Sequence, residues 1–163
     1  MNDTYNIPIC NFTQAESWFS DATKFNSEKI LCKHLEDKLP FLIKTVYGLD
    51  ITEIHREYVF DYFKYGFSKC RVDFWINTKQ GKDILIEAKN PTFNMRENIQ
   101  GLAQMMTYKM ILEYFGKDAI LIYATSVFNF LIIKFIYDYK LPFDLFTLNQ
   151  NSVAYFSYKD LSK

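Results

Sequence analysis

The sequence predicts an α/β domain in which a central mixed β-sheet is flanked by helices on both faces. The first observation is the stretch 70–89, where two apolar-polar runs flank a polar turn around Gly81. This pattern is typical of a β-hairpin. The second is Ala119–Thr125, a continuous apolar run suited to a strand that is covered on both faces. The third is the helical spacing of apolar residues at about 26–39 and 99–115.

Length and composition indicate one folded domain, 1–163. The chain of 163 residues can bury a single sizeable core, and its 49% of apolar residues exclude a disordered protein. The 19 basic and 19 acidic side chains balance, so any surface that binds nucleic acid has to be local. We expect a core at about 26–125, followed by a helix and a β-hairpin at about 126–158.

The cysteines and the apolar runs bear on the cellular compartment. Cys10, Cys32 and Cys70 are too few and too scattered for a disulfide framework, a C-x-x-C zinc site or a four-cysteine iron–sulfur cluster. The N-terminus shows no secretory signal pattern, and no apolar run is long enough to span a bilayer. We therefore expect a cytoplasmic protein in a reducing environment, without a membrane partner.

The N-terminal third predicts two helices and then two strands. A capping-box pattern starts a short helix at 13–22. The next helix spans 26–39, with Asn26 or Ser27 as its N-cap and Pro40 as its stop. Its expected core stripe is Ile30, Leu31, Leu35 and Leu39. The two strands are expected at 41–47 and 54–60.

The C-terminal half predicts a long helix, a strand, a further helix and a last pair of strands. The long helix spans 99–115 and is closed by Gly116. Its expected core stripe is Ile99, Ala103, Met106 and Met110, with Gln100, Gln104 and Tyr108 on the stripe beside it. After Ala119–Thr125, a helix is expected at 126–139, then a strand after Pro142 that pairs with 153–158.

Two carboxylates face each other across the hairpin. If its loop is centred on Gln80, opposed residues have numbers that sum to 160, which places Asp73 across from Glu87 and Arg71 across from Lys89. Like charges at that spacing, roughly 4.5–5.5 Å, repel each other. A divalent cation removes the repulsion, because Mg²⁺ takes oxygen ligands and keeps several waters. The hairpin therefore predicts a metal-dependent active site, with Lys89 aimed at whatever the metal binds.

The same residues carry a resemblance to a known family. Asp73, followed after a turn by Glu87, Ala88 and Lys89, resembles the PD-(D/E)XK nuclease superfamily and its restriction-endonuclease-like fold. Val72 stands where the nominal motif has proline. The resemblance implies that Asp73, Glu87 and the Ala88 carbonyl bind Mg²⁺, for which Mn²⁺ can substitute. It also implies that Lys89 orients the attacking water.

Residues on the long helix extend the resemblance over about 26–125. Gln104 and Tyr108 form a Q-x-x-x-Y pattern similar to that of the lambda-exonuclease-like and Type I restriction branches. The pattern implies that both side chains contact the DNA backbone. Gln100 and Arg71 are further candidates for contact with nucleic acid.

Two glutamates and two histidines are further candidates for site residues of this family. In the family a glutamate on the first core helix reaches the metal; Glu28 fits this role better than Glu36. The alternative for Glu28 is an ordinary glutamate at a helix N-terminus. RNA-cleaving relatives carry a helical histidine, for which His34 is the candidate, but a surface or core-rim role is favoured for both His34 and His55.

The expected function is hydrolysis of DNA phosphodiester bonds with Mg²⁺ as cofactor. The alternatives are an RNA-cleaving relative, an inactive nucleic-acid-binding or assembly protein on the same fold, and a structural hairpin that matches the motif by chance. The pattern fits endonucleases and exonucleases alike. Most of the 12 tyrosines and 16 phenylalanines are expected in the core, and the remainder can form a homodimer interface.

Overall fold

The described part of the chain is built around a six-stranded mixed sheet. The computed structural model describes residues 25–60, 70–90, 95–126, 130–150 and 152–158. These residues form three helices and six strands: α1 Glu28–Tyr47, β1 Ile51–Phe60, β2 Cys70–Thr78, β3 Asp83–Lys89, α2 Met95–Tyr114, β4 Ala119–Thr125, α3 Phe130–Asp138, β5 Asp144–Leu148 and β6 Val153–Phe156. The helix predicted at 13–22 lies outside the described residues.

The strands lie in the sheet in their order along the chain, β1-β2-β3-β4-β5-β6. β1, β2 and β3 pair antiparallel, β3, β4 and β5 pair parallel, and β6 pairs antiparallel with β5. Each parallel step is bridged by a helix, α2 and then α3, because parallel neighbours need a long crossover. The predicted mixed sheet is confirmed, and so are the hairpin, the strand at Ala119–Thr125 and the last strand pair.

Helices cover both faces of the sheet, as predicted. Buried residues of α1 share one core with side chains of β2, β3, β4 and β5, among them Phe74, Ile86 and Ile122. Buried residues of α2 and α3 share the other core, which includes Leu85 and Tyr123. No helix in the described ranges is both long and apolar enough to cross a membrane.

The predicted end of the first helix at residue 39 is wrong, and so is the strand predicted at 41–47. Helix α1 begins after its N-cap Ser27, continues through Pro40 and ends at Tyr47. Leu42 and Ile43 are buried and continue the stripe that Leu35 and Leu39 begin. Burying these two side chains together contributes about 3–6 kcal/mol, which offsets the cost of about 3 kcal/mol for a proline in a helix. Packing on the sheet thus outweighs the local stop signal.

Replacement of Pro40 is expected to stabilise the protein. Because Pro40 is exposed and lies inside the helix, Pro40→Ala should restore a backbone hydrogen bond and raise the free energy of unfolding by about 1–3 kcal/mol. Urea denaturation measures the change. Lys33→Ala, at another exposed position of α1, serves as the control and should have little effect. Equal or lower stability of the Pro40 variant would contradict a continuous helix.

The predicted core stripe of the long helix is also wrong. Ile99 is 56% exposed and Met110 59% exposed, Ala103 is exposed, and Met106 is partly buried. The side that faces the sheet carries Leu102, Met105, Tyr108, Ile111 and Leu112. Helix α2 has apolar residues on two sides, so the hydrophobic periodicity alone does not determine which side faces the sheet. Contact with the sheet selects the side that also carries Tyr108.

Candidate active site

The site lies where β2 and β3 separate. The two strands pair at Phe74–Ile86, Trp75–Leu85 and Ile76–Ile84, which confirms the predicted register in which paired numbers sum to 160. Beyond the first of these pairs, Asp73 Oδ2 accepts a hydrogen bond of 2.7 Å from the Ala88 backbone N–H. The predicted pairs of Asp73 with Glu87 and of Arg71 with Lys89 are not formed as ladder pairs, because the described β2–β3 pairing ends before both. The separation opens a gap between the strands.

Tyr108 fills the floor of this gap. The side chain is 2% exposed, and its hydroxyl lies 2.6 Å from the Arg71 carbonyl oxygen and 2.9 Å from Glu87 Oε2. The hydroxyl has a single proton, which it donates to one of these two acceptors at a time. The Arg71 carbonyl is a backbone group that the separation of the strands would otherwise leave without a partner. The implied contact of Tyr108 with DNA does not fit this position, because the side chain is buried beneath the carboxylates.

Removing the Tyr108 hydroxyl should therefore destabilise the protein. Tyr108→Phe removes the one buried O–H that the Arg71 carbonyl and Glu87 Oε2 share, and the loss of this donor costs about 1–3 kcal/mol. The midpoint of urea unfolding measures the loss. Tyr139→Phe is the matched control, since that side chain is 67% exposed and should leave the midpoint unchanged. An unchanged midpoint for Tyr108→Phe would show that the hydroxyl contributes nothing to the fold.

Glu87 is the most deeply buried carboxylate of the site, at 1% exposure. Its Oε1 lies 2.7 Å from Lys89 Nζ, and its Oε2 accepts from Tyr108, so both oxygens have a donor. Burial raises the pKa of Glu87 to about 7, and the nearby Asp73 carboxylate adds to this rise. The contacts with Lys89 and Tyr108 oppose it. The two carboxylates therefore act on each other electrostatically.

Lys89 lies between two carboxylates. Its Nζ is 2.7 Å from Glu87 Oε1 and 4.0 Å from Glu28 Oε1, and its side chain is 15% exposed. Burial acts to lower the pKa of Lys89, but Glu87, Glu28 and Asp73 together hold that pKa above its usual value. The lysine is thus a fixed cation beside the carboxylates.

Glu28 lies at the edge of the same cleft. It stands in the first turn of α1 with its side chain 48% exposed, and partial burial raises its pKa while Lys89 opposes the rise. Glu36, the other candidate, does not line this cleft and instead pairs with Arg56 at 3.2 Å. The structure thus brings Glu28, and not Glu36, to the site.

An open cleft of about 440 Å³ collects most of the predicted site residues, namely Glu28, Arg71, Asp73, Glu87, Lys89, Gln104 and Tyr108. A second cleft of about 550 Å³ adjoins it and shares Glu28, Arg71 and Asp73. Two further residues line this cleft without having been predicted as site residues, Cys70 and Thr107. Thr107 lies three residues after Gln104, so helical spacing could have indicated it.

The remaining candidates are only partly brought together. Gln104 lines the cleft, and its buried Oε1 has no hydrogen-bond partner among the described residues. Arg71 is exposed at the rim, 3.7 Å from Glu57. Gln100 is exposed on α2 and does not line the cleft. His34 and His55 do not line it either, in keeping with their favoured surface or core-rim role.

The donor atoms suit a cation that water and substrate help to bind. No group of three or more His, Cys, Asp or Glu side chains within the described ranges is placed to hold a metal ion by itself. Asp73 offers Oδ1, because its Oδ2 accepts from Ala88, and Glu87 offers the remaining lone pairs of its two oxygens. Mg²⁺ is commonly held by one or two carboxylates together with waters and substrate phosphates. The Asp73 and Glu87 carboxylates are thus donors of the kind that Mg²⁺ takes.

Comparisons with known proteins give likenesses of fold alone. No family model and no curated protein matches the chain. A repair endonuclease from Pyrococcus abyssi is similar in structure with a TM-score of 0.45 and 15% identity, over 79% of this chain and 50% of that chain. An EndoMS–dsDNA complex is similar with a TM-score of 0.41 and 14% identity, over 69% of this chain and 44% of the other. The chain spans half or less of these endonucleases, and such likenesses carry no conclusion about its activity.

Proposed function

We propose that this protein is a metal-dependent nuclease that hydrolyses DNA phosphodiester bonds. The observation that carries the proposal is the convergence of Asp73, Glu87 and Lys89 on one open cleft where two strands part. Two carboxylates and a cation at one such place are suited to a reaction in which charge develops on phosphate oxygens. Taking charged side chains out of water costs free energy, which disfavours a purely structural reason for these charges on the hairpin.

Each side chain has a part in this proposal that follows from its contacts. Asp73 and Glu87 would hold Mg²⁺, or Mn²⁺ in its place, with the Ala88 carbonyl as a third ligand. The cation, when bound, polarises the phosphate and lowers the pKa of a bound water. Lys89 donates hydrogen bonds to the attacking water or to a phosphate oxygen and offsets developing negative charge. Glu28 would reach the cation directly or through water.

Other groups hold these side chains and the substrate in place. The Ala88 N–H orients Asp73, and the Tyr108 hydroxyl orients Glu87 from below. Exposed Arg71 at the rim can contact a phosphate, which is the usual partner of arginine in nucleic-acid interfaces. The Oε1 of Gln104, which has no partner among the residues that the structure describes, would accept a hydrogen bond from a bound water or a base.

A second candidate is an inactive nucleic-acid-binding or assembly protein on the same fold. The ion pair of Lys89 with Glu87 favours it, because each neutralises the other without any metal. RNA as a substrate, a homodimer and a cytoplasmic location also stay predictions.

A cleavage assay separates the two candidates. Supercoiled, linear and single-stranded DNA and single-stranded RNA are incubated with the full chain in Mg²⁺, Mn²⁺ or EDTA. We expect cleavage of DNA with either cation and none in EDTA. Lys82→Ala, a lysine outside this cleft, should cut like the wild type, whereas Lys89→Ala should not. Binding of DNA without cleavage under any condition would support the second candidate and overturn the first.

A further inference from the structure

Gly101 of α2 lies where the helix meets the sheet beside the site. A Cβ built on Gly101 would lie 2.6 Å from Cε2 and 3.0 Å from Oη of Tyr123, and 2.9 Å from Cγ of Lys89. Real Cβ atoms essentially never come closer than 3.0 Å to such atoms. Glycine inside a helix lowers stability by about 1 kcal/mol relative to alanine. The helix bears this cost at Gly101, where the missing side chain lets α2 approach Tyr123 and Lys89 closely.

One side of this contact cannot move easily. Tyr123 is fully buried, and its hydroxyl donates a hydrogen bond of 2.8 Å to Asn98 Oδ1. Asn98 is 2% exposed and lies three residues before Gly101 on the same helix. Displacing the ring would break a buried hydrogen bond, at a cost of about 1–3 kcal/mol. The ring of Tyr123 therefore keeps its position when a side chain is added at Gly101.

The other side of the contact is the stem of Lys89, which can move. The same stem places Nζ 2.7 Å from Glu87 Oε1. A side chain at position 101 would push Cγ away from α2 and carry Nζ off Glu87, or it would lift the helix. Lifting α2 would also displace Tyr108, two turns further along, from the gap between Arg71 and Glu87.

We propose that Gly101 is a positioning residue: its missing side chain lets α2 close on Tyr123 and on the stem of Lys89, which fixes the lysine ammonium against Glu87. The proposal rests on the proposed function, since Lys89 is the group that it positions for phosphodiester hydrolysis. Gly101 is buried and makes no contact with substrate in this account. It acts through the position of Lys89 and, where the helix is lifted, through that of Tyr108.

The experiment measures the position of Lys89 separately from activity. Lysine is labelled with ¹³C at Cε, and the Lys89 signal is assigned by its loss in Lys89→Ala. In Gly101→Ala the Lys89 signal should shift while the signals of Lys44 and Lys134, on other elements, stay in place. A displacement near 1 Å in an active site costs about 10²-fold, so we expect kcat to fall about 10–100-fold with KM within about twofold.

Controls decide between positioning and general damage to the fold. Ile133→Val removes a buried methyl group of α3, on an element that does not line the cleft, and should lower the unfolding midpoint without moving the Lys89 signal or kcat. If Gly101→Ala does not fold, Tyr123→Phe frees the ring from Asn98 and should produce a smaller shift of the Lys89 signal. An unmoved Lys89 signal in whichever of the two variants folds overturns the proposal. A wild type that cuts nothing overturns the nuclease assignment, while the Lys89 signal still tests the contact.

Discussion

Glu87→Gln is expected to reduce metal-dependent cleavage by orders of magnitude while making the metal-free protein more stable above neutral pH. Cleavage falls because an amide is a poorer ligand than a carboxylate, and the cation's effect on the water and the phosphate is lost. Stability rises because the replacement removes a buried negative charge that desolvation and Asp73 disfavour. A loss of activity with a gain in stability is typical of a functional group rather than a structural one.

The pH dependence of this effect follows from the raised pKa. Glu87 titrates at about 7 in the folded protein against an ordinary value of 4.5. Between these values the folded state binds more protons than the unfolded state, so the stability from Glu87 is complete below about pH 4.5 and is lost as the pH rises through 7. Glutamine does not titrate. The stability advantage of Glu87→Gln should therefore grow across this window to on the order of 1–3 kcal/mol and then stay level.

Urea denaturation in EDTA at pH 5 and pH 8 measures this difference. Glu113→Gln on α2 is the control, because that carboxylate is 63% exposed and its replacement should have little effect at either pH. If Glu87→Gln is less stable than the wild type at both pH values, the Lys89–Glu87 pair is structural. If it still cuts DNA at the wild-type rate, the proposed role of Glu87 is wrong.

Lys89→Ala is expected to lower cleavage by about 10²–10³-fold, the range seen when one group that stabilises developing charge is removed. Cation binding should persist or tighten, because the change removes a positive charge 2.7 Å from Glu87 Oε1. This separates the lysine from the metal ligands: Asp73→Asn and Glu87→Gln should weaken cation binding, whereas Lys89→Ala should not.

Titration calorimetry with Mn²⁺ and a single-turnover cleavage assay measure the two quantities on the same samples. Lys82→Ala is the matched control, since Lys82 pairs with Asp118 at the other end of β3 and should leave both unchanged. If the Lys89→Ala protein cuts DNA at the wild-type rate, Lys89 is only a structural partner of Glu87. Loss of cation binding in the same variant would show that Lys89 organises the carboxylates instead of acting on substrate.

The sequence by itself determined the mixed sheet and the register of the hairpin's central pairs. Alternation along a strand and the length of the turn set the register of the hairpin, and the pairing of Phe74 with Ile86 agrees with it. The described pairing ends at Phe74 and Ile86, just before Asp73 and Glu87, and these two carboxylates line one cleft. Glu28 could also be chosen over Glu36, through the resemblance and its place in the first turn of α1.

Only the tertiary structure decided how long α1 is, which side of α2 is buried and where β2 leaves β3. In each case packing between distant elements outweighs a local signal: Leu42 and Ile43 carry α1 past Pro40, and the sheet selects the side of α2 that carries Tyr108. The gap between β2 and β3 exists because a side chain from α2 and the Asp73 carboxylate replace ladder hydrogen bonds. Local spacing does not encode such contacts, since they join residues that lie far apart in the chain and meet only when the core has formed.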